Sequence, residues 1–552
     1  MKRFTIGVDF GTLSCRALVL DAHTGEALGM GECGYHVYDQ SLPCGAKLPE
    51  RAALADPAEY LQALTAAVRG ALSHSSVDAQ EVVGIAIDAT SMSVIPCDEN
   101  GQPMCFQGKW KNEPQAYIRL WKSYTATREA EEIGAAARAE DQPFLTACGG
   151  HPSSEGIYPK MLETLRACPA LYEATSAYLD LNEFLTWQLT GALTRSTGSL
   201  GLKNYCPDGN TLPDAQFFAR LHPALASTPD KLRGKALPWG ACAGTLTSAW
   251  ADRLGLPTGI FVGAGAIDGP ISMVALGLHH SGDAMLTIGT SGVLSVVSDE
   301  WHPVSGICGQ ARDSLIPGLY GYDFCQSGVG DMFSWFVNNC VPARYEKEAA
   351  TQGVSVHTLL SRLGFAQPVR ENDIVALDWW NGSRCVIVDQ TLTGALSGLT
   401  LASTPEQIYR ALIEAAAFGT RTLLEHGEAC GVKVNRICVC GGIAGKNPLL
   451  VQCYADILGR ELAVSTLPNS AAAGAAITAA AAAGLYPSLQ DAMAQLSQKQ
   501  FIHYQPNMEN HARYAPLYAR YQQMRAFYAK SPDARSRKRK ELPWIEPILP
   551  RF

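Results

Sequence analysis

Asp268 follows Gly259-Ile260-Phe261-Val262-Gly263-Ala264-Gly265-Ala266-Ile267 and stands two residues before Pro270. The small residues leave room for a ligand, and proline is tolerated in the first turn of a helix. The string therefore predicts a strand, then a helix with a carboxylate at its entrance. A carboxylate there could take a proton from a hydroxyl acceptor during phosphoryl transfer. It could equally cap the helix, and one residue can do both.

A second group of residues could hold the phosphates. Thr5 to Asp21 reads as an apolar strand, an Asp9-Phe10-Gly11-Thr12 turn and a second strand through Ser14 and Arg16. Gly11 would let backbone amides approach an anion, Thr12 adds a hydroxyl, and Asp9 puts a carboxylate where Mg²⁺ could sit. The design recurs half a chain later, where Ala284 to Val297 carries Gly289-Thr290-Ser291 between two apolar strands. One such hairpin is an ordinary turn; two imply an internal duplication that grips one nucleotide from both sides. A third element, Gly441-Gly442-Ile443-Ala444-Gly445-Lys446-Asn447, joins a strand to a helix. Its glycines allow a flat base or ribose to lie against backbone, and the helix N-terminus can face a phosphate. No G-x-x-x-x-G-K-[ST] loop occurs.

These residues need elements to position them. Pro57 to Ser73 reads as a helix and Val82 to Asp88 as a buried strand ending in Asp88-Ala89-Thr90-Ser91. Residues 107–140 read as a polar helix with Trp121 and Lys122 in its middle. Tyr178 to Leu181 leads into a helix over Glu183 to Leu189, stopped by Gly191. Residues 205–255, rich in proline and glycine, read as the domain junction. Later come a helix from Pro405 to Glu425, a strand from Asn435 to Cys440, a helix from Pro448 to Leu458 and a strand from Glu461 to Thr466. Asn469 or Ser470 then caps an alanine-rich helix. This βαβα order predicts an α/β fold.

The chain has 552 residues, 47% of them hydrophobic and 17% charged, too long for a single core and suited to a soluble enzyme. Its net charge of −8 offers no broad attraction to nucleic acid or an anionic membrane. The basic run Arg535-Ser536-Arg537-Lys538-Arg539-Lys540 reads as a solvated tail. The 17 cysteines show no C-x-x-C pair or zinc spacing, which fits reduced thiols and a cytoplasmic setting. The opening residues are no signal peptide, and the longest apolar tract is too short to span a bilayer.

The order of motifs resembles the FGGY carbohydrate kinases, from residue 3 to about residue 525. The resemblance implies two duplicated actin-like ATPase domains (the sugar kinase/heat-shock chaperone/actin fold) around a central cleft. It divides the chain into an N-terminal sugar-binding domain (1–256), a C-terminal nucleotide-binding domain (257–500) and a helix with a basic tail (501–552). It implies ATP and Mg²⁺, with Asp268 as catalytic base and Asp9 and Asp268 at the metal. Gly11, Thr12, Ser14, Arg16, Gly289, Thr290, Ser291, Gly441, Gly442 and Asn447 would serve the nucleotide. Local strings, among them Leu120-Trp121-Lys122, Ser153-Ser154-Glu155 and Leu377 to Gly382 with Arg384, are most similar to the ribulokinases of that family. On that resemblance Ser91, Trp121, Lys203, Asp268 and Asp323 line a ketopentose pocket, and the reaction phosphorylates a terminal hydroxyl. Asp323-Phe324-Cys325 departs from the Glu-Ala-Gly usual there, so xylulose, ribitol, a deoxy-ketose or another polyol stays open as acceptor. So does a non-catalytic sugar sensor or nucleotide switch. The oligomeric state, a homodimer included, is open as well.

Overall fold

The computed structural model describes residues 3–530; the basic run Arg535 to Lys540 lies outside them. Two mixed sheets of seven strands form the two halves. In the first, the hairpin strands Phe4–Phe10 and Ser14–Asp21 are antiparallel, and Ala27–Gly34 extends them antiparallel. On the other side Val82–Ala89 pairs parallel with Phe4–Phe10, and Phe261–Gly263 parallel with Val82–Ala89. The second sheet repeats this order. Asp283–Ile288 and Gly292–Ser298 form its hairpin and Tyr320–Gln326 adds antiparallel; Arg436–Cys440 and Leu462–Ser465 follow in parallel. The duplication expected from the two Gly-Thr turns is thus a duplication of whole sheets.

Two of the sequence boundaries differ from the observed pairing. The first sheet runs past residue 256, because Phe261–Gly263 and Ala266–Ile267 both pair with Val82–Ala89. Residues 501–530 are not an appendage to the second half. Phe501–Tyr504 pairs with Leu462–Ser465, and the helix Met508–Lys530 buries Tyr514, Leu517 and Tyr521 in the second core.

The stretch 107–140 is helical only over Thr127–Ala139. Before it lie short 3₁₀ turns at Gly108–Trp110 and Pro114–Ala116 and a two-residue strand, Ile118–Arg119. Gly108 and Pro114 interrupt any helical repeat, so Trp121 sits on a loop, free to face the cleft. Helices do form at Pro57–His74, Leu181–Thr190 (ending at Gly191), Pro405–Ala429 and Pro448–Leu458.

The alanine-rich helix, Ser470–Ala482, is buried on nearly every side. Its small side chains let backbones approach closely. A Cβ on Gly7 would overlap the Ala472 carbonyl oxygen, and Thr5 Oγ1 donates to the Ala476 carbonyl at 2.8 Å. On its other side the helix packs against Asp268–Ala275, joined by a Ser470–Ser272 hydroxyl bond of 2.9 Å. Asn469 precedes it with φ of 54°, but its side chain makes no capping bond; the amide points to Met30 Sδ. This helix therefore fixes the Asp268 helix against the first sheet. Gly7→Val should cost roughly 3 kcal/mol or more through overpacking. A melting temperature equal to that of the unaltered protein would show that strand and helix are not in this contact.

Candidate active site

A cavity of about 310 Å³ lies between the halves. Ser91, Trp121, Lys203, Asp268 and Asp323 line it, as does Ser291 of the second hairpin. Thr12 is tied to the cavity by the Trp121 indole N–H, which donates to its hydroxyl at 3.1 Å.

Three carboxyls meet at one corner. Asp9 lies opposite Asp88 in the parallel pair, and Asp88 lies opposite Ala266, two residues before Asp268. Burial raises the pKa of Asp268 to about 6, helped by the Asp9 charge and opposed by the Gly269 amide, which donates to Oδ1 at 2.7 Å. Oδ2 is left for a ligand. Burial raises Asp9 too, against the pull of Arg16 at 3.4 Å. Asp88 is fully buried, and among the described residues neither of its oxygens has a hydrogen-bond partner. Burial, then the charges of Asp9 and Asp268, push its pKa well above the usual carboxylate value. Among the described residues no three ligating side chains form a metal cage. Mg²⁺ needs none, since it takes one or two carboxylates together with phosphate oxygens and water. Asp9 and Asp268, with phosphate and water completing the shell, fit such a cation.

The two hairpin turns use their glycines differently from the sequence expectation. The Gly11 amide donates to the Ser14 carbonyl and the Gly289 amide to the Ser291 carbonyl, so both close their own turns. The amides of Thr12, Leu13, Thr290 and Ser291 take no partner among the described residues and are the donors open to an anion. Ser14 and Arg16 both bind Glu32, at 2.8 and 3.2 Å, and so brace Asp9. Gly441 has φ of 105°, and a Cβ there would overlap the Ile288 carbonyl oxygen, which sets the glycine turn directly against the second hairpin. Gly442 is open. Both ends of the Asn447 amide are occupied: Oδ1 caps the helix after it and Nδ2 donates to Ser361. Asn447 thus shapes the turn.

On the acceptor side, a π-helical turn, Ser199–Lys203, aims Lys203 across the cleft. Its ammonium donates to Asp323 Oδ2 at 2.9 Å, and Ser295 donates to Oδ1 at 2.8 Å. Both Asp323 oxygens are therefore engaged, and its part is to orient Lys203. Burial works against the Lys203 charge, but Asp323 outweighs it and holds the pKa above the usual lysine range. Two of its three N–H groups remain for a ligand.

Residues that the sequence marked only through the family strings complete the site. Lys160 is fully buried and donates to the carbonyls of Met92, Arg119 and Leu120 at 2.6–3.1 Å, which fixes both the Ser91 loop and the Trp121 loop. Burial, then Arg119, brings its pKa down to about 7. Glu155 and Arg384 line the cavity from opposite halves and pair at 2.6 Å.

The chain belongs to the FGGY family of carbohydrate kinases. The model of the family's N-terminal domain matches residues 4–275 and that of its C-terminal domain residues 284–483. A ribulokinase of Bacillus licheniformis is 36% identical over 536 residues, 96% of this chain and 97% of that one. A ribulokinase of Mycolicibacterium smegmatis is 38% identical over 534 residues, 96% and 94% of the two chains. The crystal structure of a xylulose kinase from Rhodospirillum rubrum superposes with a TM-score of 0.77 at 23% identity, covering 95% of this chain and 99% of that one, and supports the fold. No helix among the described residues is long and apolar enough to cross a membrane.

Removing one partner of a buried pair strands the other. Lys203→Met should destabilise the protein by about 3–5 kcal/mol, and the Lys203→Met/Asp323→Asn double variant by much less. Melting temperatures of the four proteins test this; additive losses would mean that the two groups do not interact.

Proposed function

We propose that this chain transfers the γ-phosphoryl group of ATP to a terminal hydroxyl of a ketopentose of the ribulose type. The observation that supports the reading is Asp268, half-buried at the cavity with Oδ2 unengaged among the described residues, in a cavity that Lys203 and Ser291 also line. Asp268 takes the proton as the acceptor oxygen attacks in line. Lys203 donates to the acceptor's carbonyl or a hydroxyl, and Trp121 packs on its apolar face. The unpartnered amides at Thr12, Leu13, Thr290 and Ser291 take up charge on the phosphates. Mg²⁺, when bound, neutralises phosphate charge, with Asp9, through water, and Asp268 as the side chains that would hold it. Closure of the halves excludes water and limits futile ATP hydrolysis. The ribulokinase relatives at 36–38% identity support ribulose as the acceptor. Cys325 lines the cavity where a smaller residue would leave more room, so another ketose or polyol is the second reading.

ADP release with Mg-ATP across L-ribulose, D-ribulose, both xyluloses, ribitol and glycerol tests the reading. Turnover should be fastest on a ribulose. Asp268→Asn should lower kcat by about 10²–10⁴-fold while ATP affinity stays nearly unchanged. Turnover surviving that change would overturn the base assignment, and ATP hydrolysis indifferent to every acceptor would favour a nucleotide switch.

The pH dependence has a definite sign. Asp268 acts as a base only when ionised, and its pKa is raised to about 6. Acceptor-dependent kcat/KM should therefore be full above neutrality and fall as pH drops through about 6. A profile flat down to pH 4.5, where an ordinary aspartate is still mostly ionised, would contradict the burial argument.

A further inference from the structure

The cavity has two polar ends. Asp268, Lys203 and Asp323 make one. Along Tyr320–Gln326, Asp323 and Cys325 share a face and line the cavity in turn. Beyond Cys325 lie Cys385, whose sulfur accepts the Cys325 amide at 3.1 Å, and Cys308, which touches the Arg384 carbonyl. Arg384 closes this second end.

The Arg384 guanidinium is held from the first half. Its Nη2 donates both to Glu155 Oε1 at 2.6 Å and to the Tyr124 hydroxyl at 2.9 Å. Glu155 is fixed in turn by the Ser153 hydroxyl. All the protein bonds of the guanidinium converge on Nη2, so Nη1 and Nε have no protein acceptor among the described residues, although the side chain lines the cavity and is only 21% exposed. A guanidinium held by one corner, on a side chain that lines the cavity, has donors left to bind an oxygen. The adjacent Glu155 charge cancels that of Arg384, so the fitting oxygen is neutral, a hydroxyl or carbonyl, and not a phosphate or carboxylate.

We propose that Arg384 is a specificity-determining residue, reading a neutral oxygen at the end of the acceptor remote from Asp268 and thereby setting acceptor length. Glu155 and Tyr124 are its positioning residues. The inference rests on the sugar-kinase reading above and deepens it. A ketose long enough to reach Arg384 gains these hydrogen bonds, and a shorter one leaves the donors unpaired in a desolvated site.

The test compares L-ribulose with L-erythrulose, one carbon shorter, in the unaltered protein, Arg384→Met and the Glu155→Gln/Arg384→Met double variant. Arg384→Met should raise KM for L-ribulose about 30-fold or more with kcat changed less than about threefold, as loss of a ground-state contact requires. The L-ribulose to L-erythrulose ratio of kcat/KM should fall about 30-fold or more, because the shorter acceptor loses no contact. The single variant also strands Glu155, so its melting temperature should drop; the double variant should recover stability but not the ratio. A ratio within twofold of the unaltered protein's, or one restored together with stability, would make the pair a brace between the halves and overturn the proposal. A loss carried by kcat with KM unchanged would also overturn it, because it would put Arg384 at the transferring end. Failure of the parent reading looks different: the unaltered protein would then release no acceptor-dependent ADP, and this proposal would fall with it.

Discussion

Parallel register is the constraint on which the site depends. It brings Asp9 beside Asp88 and Asp88 beside Ala266, so the chain enters the next helix with Asp268 at the same corner. Carboxyls this close in a water-poor seam cannot all ionise. Burial and its two carboxyl neighbours push the Asp88 pKa up, Arg16 supports the Asp9 charge, and the Gly269 amide supports that of Asp268. What is left is a half-buried carboxylate with one oxygen unengaged among the described residues, and a local excess of negative charge. On the proposed reading, phosphoryl transfer to a hydroxyl would use the first as base and the second as a seat for a cation.

Around that corner the fold presents donors. The duplicated sheets bring a hairpin to the cleft from each half, and in each hairpin the glycine amide closes the turn so that the next amides point away unpartnered. The alanine-rich helix makes the arrangement stiff. It is pressed between Gly7 and the Asp268 helix with backbone close to backbone on both sides, so little slack separates the first sheet from the base. The acceptor side is built by bonds between the halves, with Lys203 reaching to Asp323 and Arg384 to Glu155. The cavity is therefore a joint product of the two halves, and motion between them must act on both its ends.

Much of this was legible in the sequence because it is local. Alternating apolar residues around a Gly-Thr turn specify a hairpin wherever they occur, and two copies in the right order imply two sheets. Asp268 could be found because its strand and helix signals are contiguous. The stretch 107–126 misled because its polar composition suits a helix, whereas Gly108, Pro114 and the Arg119 and Leu120 carbonyls bound by Lys160 set its course. Asn447 looked like a ligand residue, but both ends of its amide are occupied by its own helix and Ser361. Arg384 and Glu155 lie 229 residues apart, and no spacing rule links them. Asp88 was visible at a strand end, but its meaning depends on two neighbours from other strands.

The central claim is that the cavity seats a sugar with its transferable hydroxyl against Asp268. The most direct measurement is a crystal structure with Mg²⁺, a non-hydrolysable ATP analogue and L-ribulose bound together. The account predicts a terminal hydroxyl oxygen about 3 Å from Asp268 Oδ2 and facing the analogue's γ-phosphate. An acceptor bound elsewhere, or one in the cavity with no hydroxyl in reach of Asp268, would contradict it.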